Sequence, residues 1–206
     1  LAEHFPGRAA GLIDLFDSSG TKPLWALEGG GPYRHKAEVF NPINDSGYLS
    51  PELVRENAFY VIRYYVGGIG CGFTLLAWNV IPEYDPWGQE FGDLNLLSID
   101  FIKKPAYWVY KGLAELIADY TYAEVIPNNL FWDNPNIIGY KIVTELNDYT
   151  FIWNLKDSAF VNLSGLTKQY NYPFTMGDSL WTETILNSSS IYTFQTSSKP
   201  LIFEGS

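Results

Sequence analysis

The sequence predicts a mixed α/β chain in which a parallel α/β region comes first and a small antiparallel β-sandwich follows. Up to about residue 121, segments with helical spacing alternate with short apolar runs, in the order helix, strand, helix, strand, helix. Such alternation is typical of right-handed βαβ units around a parallel sheet. From Tyr122 onward, apolar and polar residues alternate and turn residues recur, which is the pattern of short antiparallel strands. We therefore predict two domains, 1–121 and 122–206.

Three segments of the first domain have the signals of helices. Residues 8–19 carry apolar side chains at helical spacing. Ser50 and Pro51 supply an N-cap and a first-turn proline for a second helix, whose predicted end is Gly67-Gly68. Pro105 opens the third helix in the same way.

Two apolar runs between these helices predict parallel strands. Residues 23–27 are too few for a helix, and residues 69–80 are apolar almost throughout, as in a strand covered on both faces. The links that lead from helix to strand are short, whereas each link from strand to helix runs about 20 residues. Long loops at the carboxyl ends of parallel strands usually carry function. The sequence therefore predicts a site at this edge of the sheet.

The second domain begins with a hairpin whose turn lies at Asn147 and Asp148. Its flanking strands, and the short strands predicted after them, are residues 140–146, 149–153, 160–163, 168–174, 191–195 and 201–203. Strands of this length and spacing are typical of a small antiparallel sandwich.

Composition and charge exclude several classes of function. The formal net charge of −10, without a run of basic residues, argues against a nucleic-acid partner. No apolar segment is long enough to span a membrane. One cysteine and two histidines give no metal-ligand spacing. Neither predicted strand is followed by a Gly-x-Gly-x-x-Gly turn that enters a helix, so we expect no dinucleotide cofactor, and no other cofactor is indicated.

Glu28 stands at the end of the first apolar run and is followed by three glycines. A carboxylate at the tip of a hydrophobic strand is costly to desolvate unless partners hold it at an opening. Glycines beyond it let backbone or ligand approach closely. The alternative is a structural carboxylate that caps the strand end or pairs with Arg34 or Lys36.

Four segments resemble the C-terminal part of a clan of retaining glycoside hydrolases, the (β/α)8-barrel enzymes that include cellulases, β-mannanases and β-xylosidases. Lys-Pro-Leu-Trp-Ala-Leu-Glu-Gly at 22–29 resembles the seventh strand of the barrel, and Gly-Phe-Thr-Leu-Leu-Ala-Trp-Asn at 72–79 resembles the eighth. Residues 104–113 are similar to the last barrel helix, and 122–206 to an appended β-sandwich. Residues 1–6 resemble the tail of the sixth strand. The resemblance implies a fold made of about strands six to eight of a (β/α)8 TIM barrel, followed by a β-sandwich.

The resemblance also implies roles for individual residues. Glu28 would be the nucleophile, and Trp78 would be the floor of a sugar subsite, with plain core packing as the alternative for the tryptophan. His4 would lie beside Glu28, where it orients the carboxylate or touches a sugar hydroxyl; the alternative is a partly buried histidine that bonds to the backbone. Asn79 at the strand end and Tyr33 and Trp87 in the two long loops are further candidates for substrate contacts. For Tyr33 the alternative is a solvated loop without a function.

One departure from the family pattern concerns the second carboxyl group. A retaining mechanism needs two carboxyls roughly 5 to 5.5 Å apart. The family carries its acid/base in an Asn-Glu pair on the fourth strand, and this sequence contains no such pair. Glu83 and Glu90 in the second long loop are the acids that remain as alternatives.

Three parallel strands alone would also leave sheet edges and apolar faces open. We therefore expect a partner that carries the N-terminal half of the barrel, either as a separate chain or as a missing segment.

The predicted function is hydrolysis of β-glycosidic bonds in an oligo- or polysaccharide through a glycosyl-enzyme intermediate. The alternative is a catalytically inactive barrel and sandwich that serves as a cell-surface or filament-associated protein, binding glycan or acting as a scaffold. Family inference favours an extracellular or cell-surface location.

Overall fold

The computed structural model describes residues 23–29, 51–78, 96–97, 101–127, 134–156, 158–175 and 177–205. The predicted helix at 8–19 lies outside the described residues. Within them the chain has a mixed α/β fold whose larger sheet is antiparallel, which confirms the α/β class.

The first part consists of two parallel strands and two helices. Strand β1 (Leu24–Gly29) is followed by helix α1 (Pro51–Gly70), strand β2 (Phe73–Trp78) and helix α2 (Pro105–Ile117). The two strands pair in parallel. The two helices that begin at prolines are therefore confirmed, and both predicted strands are present. The second strand begins at Phe73 and not at Ile69, because Ile69 and Gly70 belong to α1.

The end of α1 differs from the prediction, which placed it at Gly67-Gly68. The helix continues to Gly70, and a Cβ atom added to Gly68 would lie 2.6 Å from Leu76, while one added to Gly70 would collide with the ring of Tyr140. These glycines therefore permit close packing and do not end the helix. The chain reverses at Gly72, whose φ of +83° suits glycine.

The second part is a six-stranded antiparallel sheet with a two-stranded sheet beside it. The strands are β3 (Tyr120–Ile126), β4 (Ile137–Thr144), β5 (Asp148–Asn154), β6 (Ala159–Leu163), β7 (Leu166–Asn171), β8 (Thr182–Ile185), β9 (Tyr192–Thr196) and β10 (Leu201–Gly205). The larger sheet has the order β3-β4-β5-β10-β7-β8, and β6 pairs with β9. The predicted hairpin is β4 and β5, and the other predicted strands correspond to β6, β7, β9 and β10. Strands β3 and β8 were not predicted as separate strands.

The inner strands of the six-stranded sheet are covered on both faces. On one face, Tyr140, Phe151 and Trp153 belong to one buried cluster with residues of α1, α2 and β2. On the other face, Ile152 and Phe203 pack with residues of β6 and with Phe194 of β9. The change from helices to antiparallel strands falls between Ile117 and Tyr120, while the division into two domains near residue 121 stays a prediction.

Neither described helix is long and apolar enough to cross a membrane.

Candidate functional site

The carboxyl ends of β1 and β2 lie side by side. The strands are parallel, with Ala26 paired to Leu76 and Gly29 paired to Trp78, and the register shifts between Ala26 and Gly29. The backbone of Glu28, one residue before Gly29, therefore lies next to the end of β2. This edge leads into the segments 30–50 and 79–95, which lie outside the described residues.

Trp78 is packed against an aromatic surface of α1. Its indole is 9% exposed and lies with its ring centroid 5.8 Å from Tyr64 and 6.2 Å from both Tyr60 and Tyr65. The Tyr64 hydroxyl donates a hydrogen bond of 3.1 Å to the carbonyl of Ala77, which fixes the strand end on the helix. These contacts are those of a core residue, and a role as a sugar platform stays a prediction that requires one ring face to be open.

The aromatic surface behind Trp78 is uncharged near neutral pH. Burial, followed by the neighbouring Tyr60, raises the pKa of the Tyr64 hydroxyl to about 12. Burial also raises the pKa of Tyr65, with Tyr110 and Tyr64 as further causes. The strand end is therefore supported by a neutral layer.

The two faces of β2 have different surroundings. Leu76 and Trp78 alternate onto the face that meets α1, as the close approach of Leu76 to Gly68 shows. Leu75 points to the opposite face, where its side chain is 42% exposed. At Leu75 this face is therefore only partly covered, which differs from the predicted strand with both faces covered.

The structure does not describe the side chains of the remaining predicted site residues. His4, Tyr33, Asn79 and Trp87 lie outside the described residues. The backbone of Glu28 is described within β1, but its carboxylate is not. Their roles, and the alternative pairing of Glu28, stay predictions.

A segment not predicted from the sequence lies before α2. Leu97 and Lys103 form an antiparallel bridge, and the amide of Lys104 donates a 3.0 Å hydrogen bond to the carbonyl of Leu96. Between them Phe101 has a φ of +59° and is 70% exposed. The adjacent apolar residues Phe101 and Ile102 inside a predicted loop are the sequence signal that could have drawn attention to it.

Lys103 is held on the first turn of α2. Its ammonium lies 4.8 Å from the ring centroids of both Tyr107 and Trp108. At this distance the positive charge is attracted by both ring faces.

The described residues contain no group of three or more His, Cys, Asp or Glu placed to hold a metal ion.

No protein-family model matches this sequence, and no curated protein matches it. Solved structures match it in fold. A family 39 glycoside hydrolase from the gut symbiont Bacteroides cellulosilyticus WH2 is 15% identical with a TM-score of 0.60, over 98% of this chain and 38% of that one. A GH30 endoxylanase from Clostridium papyrosolvens C71 is 11% identical with a TM-score of 0.53, over 100% and 46%. A conserved exported protein from Bacteroides fragilis is 11% identical with a TM-score of 0.56, over 99% and 43%.

These similarities concern the fold. The chain has the fold of one part of glycoside hydrolase structures, and it spans less than half the length of each of the three. The two parallel strands, each followed by a helix, are consistent with a partial (β/α)8 barrel.

Proposed function

We propose that the chain is part of a retaining glycoside hydrolase that cleaves β-glycosidic bonds, with Glu28 as the nucleophile. The observation that carries the proposal is the meeting of the Glu28 backbone with the end of β2 at the carboxyl edge of a parallel sheet. In (β/α)8 enzymes this edge holds the active site. The fold similarity to glycoside hydrolases supports the same reading.

In the proposed mechanism, the Glu28 carboxylate attacks the anomeric carbon while a second carboxyl group protonates the leaving oxygen. The same second carboxyl group, now acting as a base, then activates a water molecule that hydrolyses the glycosyl-enzyme. No cofactor takes part. The second carboxyl should stand roughly 5 to 5.5 Å from Glu28, and we propose that the N-terminal half of the barrel supplies it.

The partly exposed face of β2 supports the proposed partner. Leu75 is 42% exposed on the face opposite α1, and in a barrel this face would be turned inward and covered by the other strands. The similar structures are each more than twice as long as the matched part, which leaves room for the N-terminal half that we propose as a separate chain or a missing segment.

The proposed substrate is an oligo- or polysaccharide. Its contacts would come from His4, Tyr33, Trp78, Asn79 and Trp87. We also propose an extracellular or cell-surface location, since one similar structure is a conserved exported protein.

The second candidate is a catalytically inactive barrel and sandwich that binds glycan or acts as a scaffold at the cell surface or on a filament. Two observations favour it. The sequence has no Asn-Glu pair, and the Trp78 ring is mostly covered by tyrosines.

The experiment that separates the candidates is covalent trapping in the native assembly. A panel of dinitrophenyl 2-deoxy-2-fluoro-β-glycosides (glucoside, xyloside, mannoside and galactoside) should inactivate a retaining enzyme, and peptide mass spectrometry should find the label on Glu28. Glu28→Gln should abolish turnover and labelling, whereas Glu124→Gln, which changes an exposed acid on β3, should preserve both. A label on another carboxyl overturns Glu28 as the nucleophile. A native assembly that binds glycan without turnover or labelling supports the inactive protein.

A further inference from the structure

Phe101 has an unusual backbone conformation for an aromatic residue. Among the described residues it is the one non-glycine with positive φ, at +59°. The left-handed region is unfavourable for bulky side chains. Such conformations persist where the surrounding structure imposes them, and they cluster at functional sites.

The unfavourable backbone conformation does not bury the phenyl ring of Phe101. The ring is 70% exposed, so the hydrophobic core gains little from it. The base of the segment is closed by the Leu97–Lys103 bridge and by the neighbouring hydrogen bond from Lys104 to Leu96. An anchored backbone that presents an aromatic ring to solvent is an arrangement suited to binding.

The segment lies on the side of the fold where β1 and β2 end. Tyr65 of α1 contacts Trp78 at the end of β2, with ring centroids 6.2 Å apart, and also Tyr110 in α2, at 5.3 Å. The first turns of α2 are therefore close to the carboxyl end of β2. Phe101 lies four residues before Pro105, in the connection that leads from the end of β2 to α2, and therefore on the side of the fold where β2 ends.

We propose that Phe101 is a platform on which one sugar unit of an oligosaccharide stacks, outside the unit that reacts. An aromatic face suits the C–H face of a pyranose ring, because it supplies flat apolar contact with few rotatable bonds. The neighbouring Lys103 is held by Tyr107 and Trp108, so the platform itself is apolar. This inference rests on the proposed glycosidase function and assigns its substrate to chains of at least two sugar units.

The test compares KM values in the native assembly with Phe101→Ala, Phe101→Trp and the control Phe160→Ala. Phe160 is also a phenylalanine, is 71% exposed and lies on β6. For Phe101→Ala we expect the KM for an oligosaccharide, divided by the KM for an aryl monosaccharide, to rise roughly three- to tenfold. Phe101→Trp should keep the wild-type ratio, because it restores a flat ring, and Phe160→Ala should also keep it.

The outcomes separate this inference from the proposed function. An active wild-type assembly whose KM ratio does not change in Phe101→Ala overturns the platform and leaves the glycosidase standing. A Phe101→Ala assembly that separates on size-exclusion chromatography, while Phe160→Ala stays assembled, also overturns it, because the ring is then a contact between protein parts. An inactive wild type that labels with no fluoroglycoside overturns both.

Discussion

Glu204 on β10 is a buried carboxylate whose removal should destabilise the sandwich in a pH-dependent way. It is 7% exposed and accepts hydrogen bonds from the Tyr170 hydroxyl at 2.6 Å and from the Lys168 ammonium at 3.1 Å. Burial alone would raise the pKa of Glu204, but the hydrogen bonds from Tyr170 and Lys168 outweigh it and hold the pKa below its ordinary value. The charged form is therefore favoured in the folded state.

The substitution Glu204→Gln keeps the shape but removes the charge. The Tyr170 hydroxyl and the Lys168 ammonium both donate to the same carboxylate oxygen, and a glutamine oxygen in its place can still accept from both. Both bonds lose the negative charge that strengthens them, and the glutamine amide replaces the oxygen that accepts from the Thr167 hydroxyl. Because Lys168 is partly exposed, solvent weakens the contribution of its ion pair with Glu204 to stability. Most of the lost stability therefore comes from the weaker hydrogen bond with Tyr170. We expect a loss of about 2 kcal/mol in the free energy of unfolding at pH 7. For a chain of this size that lowers Tm by about 4 to 8 °C.

The stability difference between wild type and Glu204→Gln should depend on pH in a defined direction. Because the pKa of Glu204 is lower folded than unfolded, its stabilisation is present above the unfolded pKa and is lost as pH falls through the folded pKa. The Tm difference between wild type and Glu204→Gln should be full at pH 7 and shrink below about pH 4. Thermal unfolding followed by circular dichroism at a series of pH values measures it.

The matched control is Glu183→Gln. Glu183 lies 3.8 Å from the same Lys168 ammonium, but its side chain is 49% exposed. Exposed ion pairs contribute little, so this variant should stay within about 0.5 kcal/mol of wild type. Equal effects of the two substitutions, or a Glu204→Gln deficit that does not change with pH, would refute the reasoning.

Three further predictions concern packing and backbone conformation. Gly112→Ala should cost about 1 to 3 kcal/mol in urea unfolding, because the added methyl group collides with the Trp181 indole, and an unchanged midpoint would contradict it. Phe101→Gly should be about 1 kcal/mol more stable than Phe101→Ala in the same assay, since glycine adopts a positive φ without the steric cost of a Cβ atom. Equal stabilities would show that the backbone at this position is not strained. Trp78→Ala should cost about 3 to 5 kcal/mol through lost packing on the α1 tyrosines, whether or not the protein has activity, and a near-neutral result would remove Trp78 from the core.

The elements that the sequence predicts well are those whose local signals agree with their packing. Pro51 and Pro105 begin the two helices because the first helical position needs no amide donor. The β4–β5 hairpin has clear alternation on β4, and its turn is closed by Thr144, whose hydroxyl donates to the carbonyl of Asn147. In these places one residue pattern determines both the local structure and the buried face.

Two errors arise where a residue pattern has more than one physical meaning. Glycines near the end of α1 resemble a helix stop, but only the packing of Leu76 and Tyr140 explains their lack of side chains. Strand β8 has no buried position in Thr182–Ile185 and hence no apolar periodicity. It is a strand because Lys168 to Asn171 of β7 pair with it, a long-range contact that local sequence does not encode.

The candidate site shows the same difference between position and orientation. The sequence predicts that Glu28 and Trp78 end neighbouring parallel strands, and the register of β1 and β2 agrees. The face that Trp78 occupies did not follow, because a strand that is apolar on both faces has no alternation to read. The register shift between Ala26 and Gly29 changes the local geometry on β1 next to Glu28. The orientation of side chains at this edge is therefore set by contacts across the sheet and by the part of the protein that covers Leu75. The catalytic proposal for Glu28 thus depends on the proposed N-terminal half.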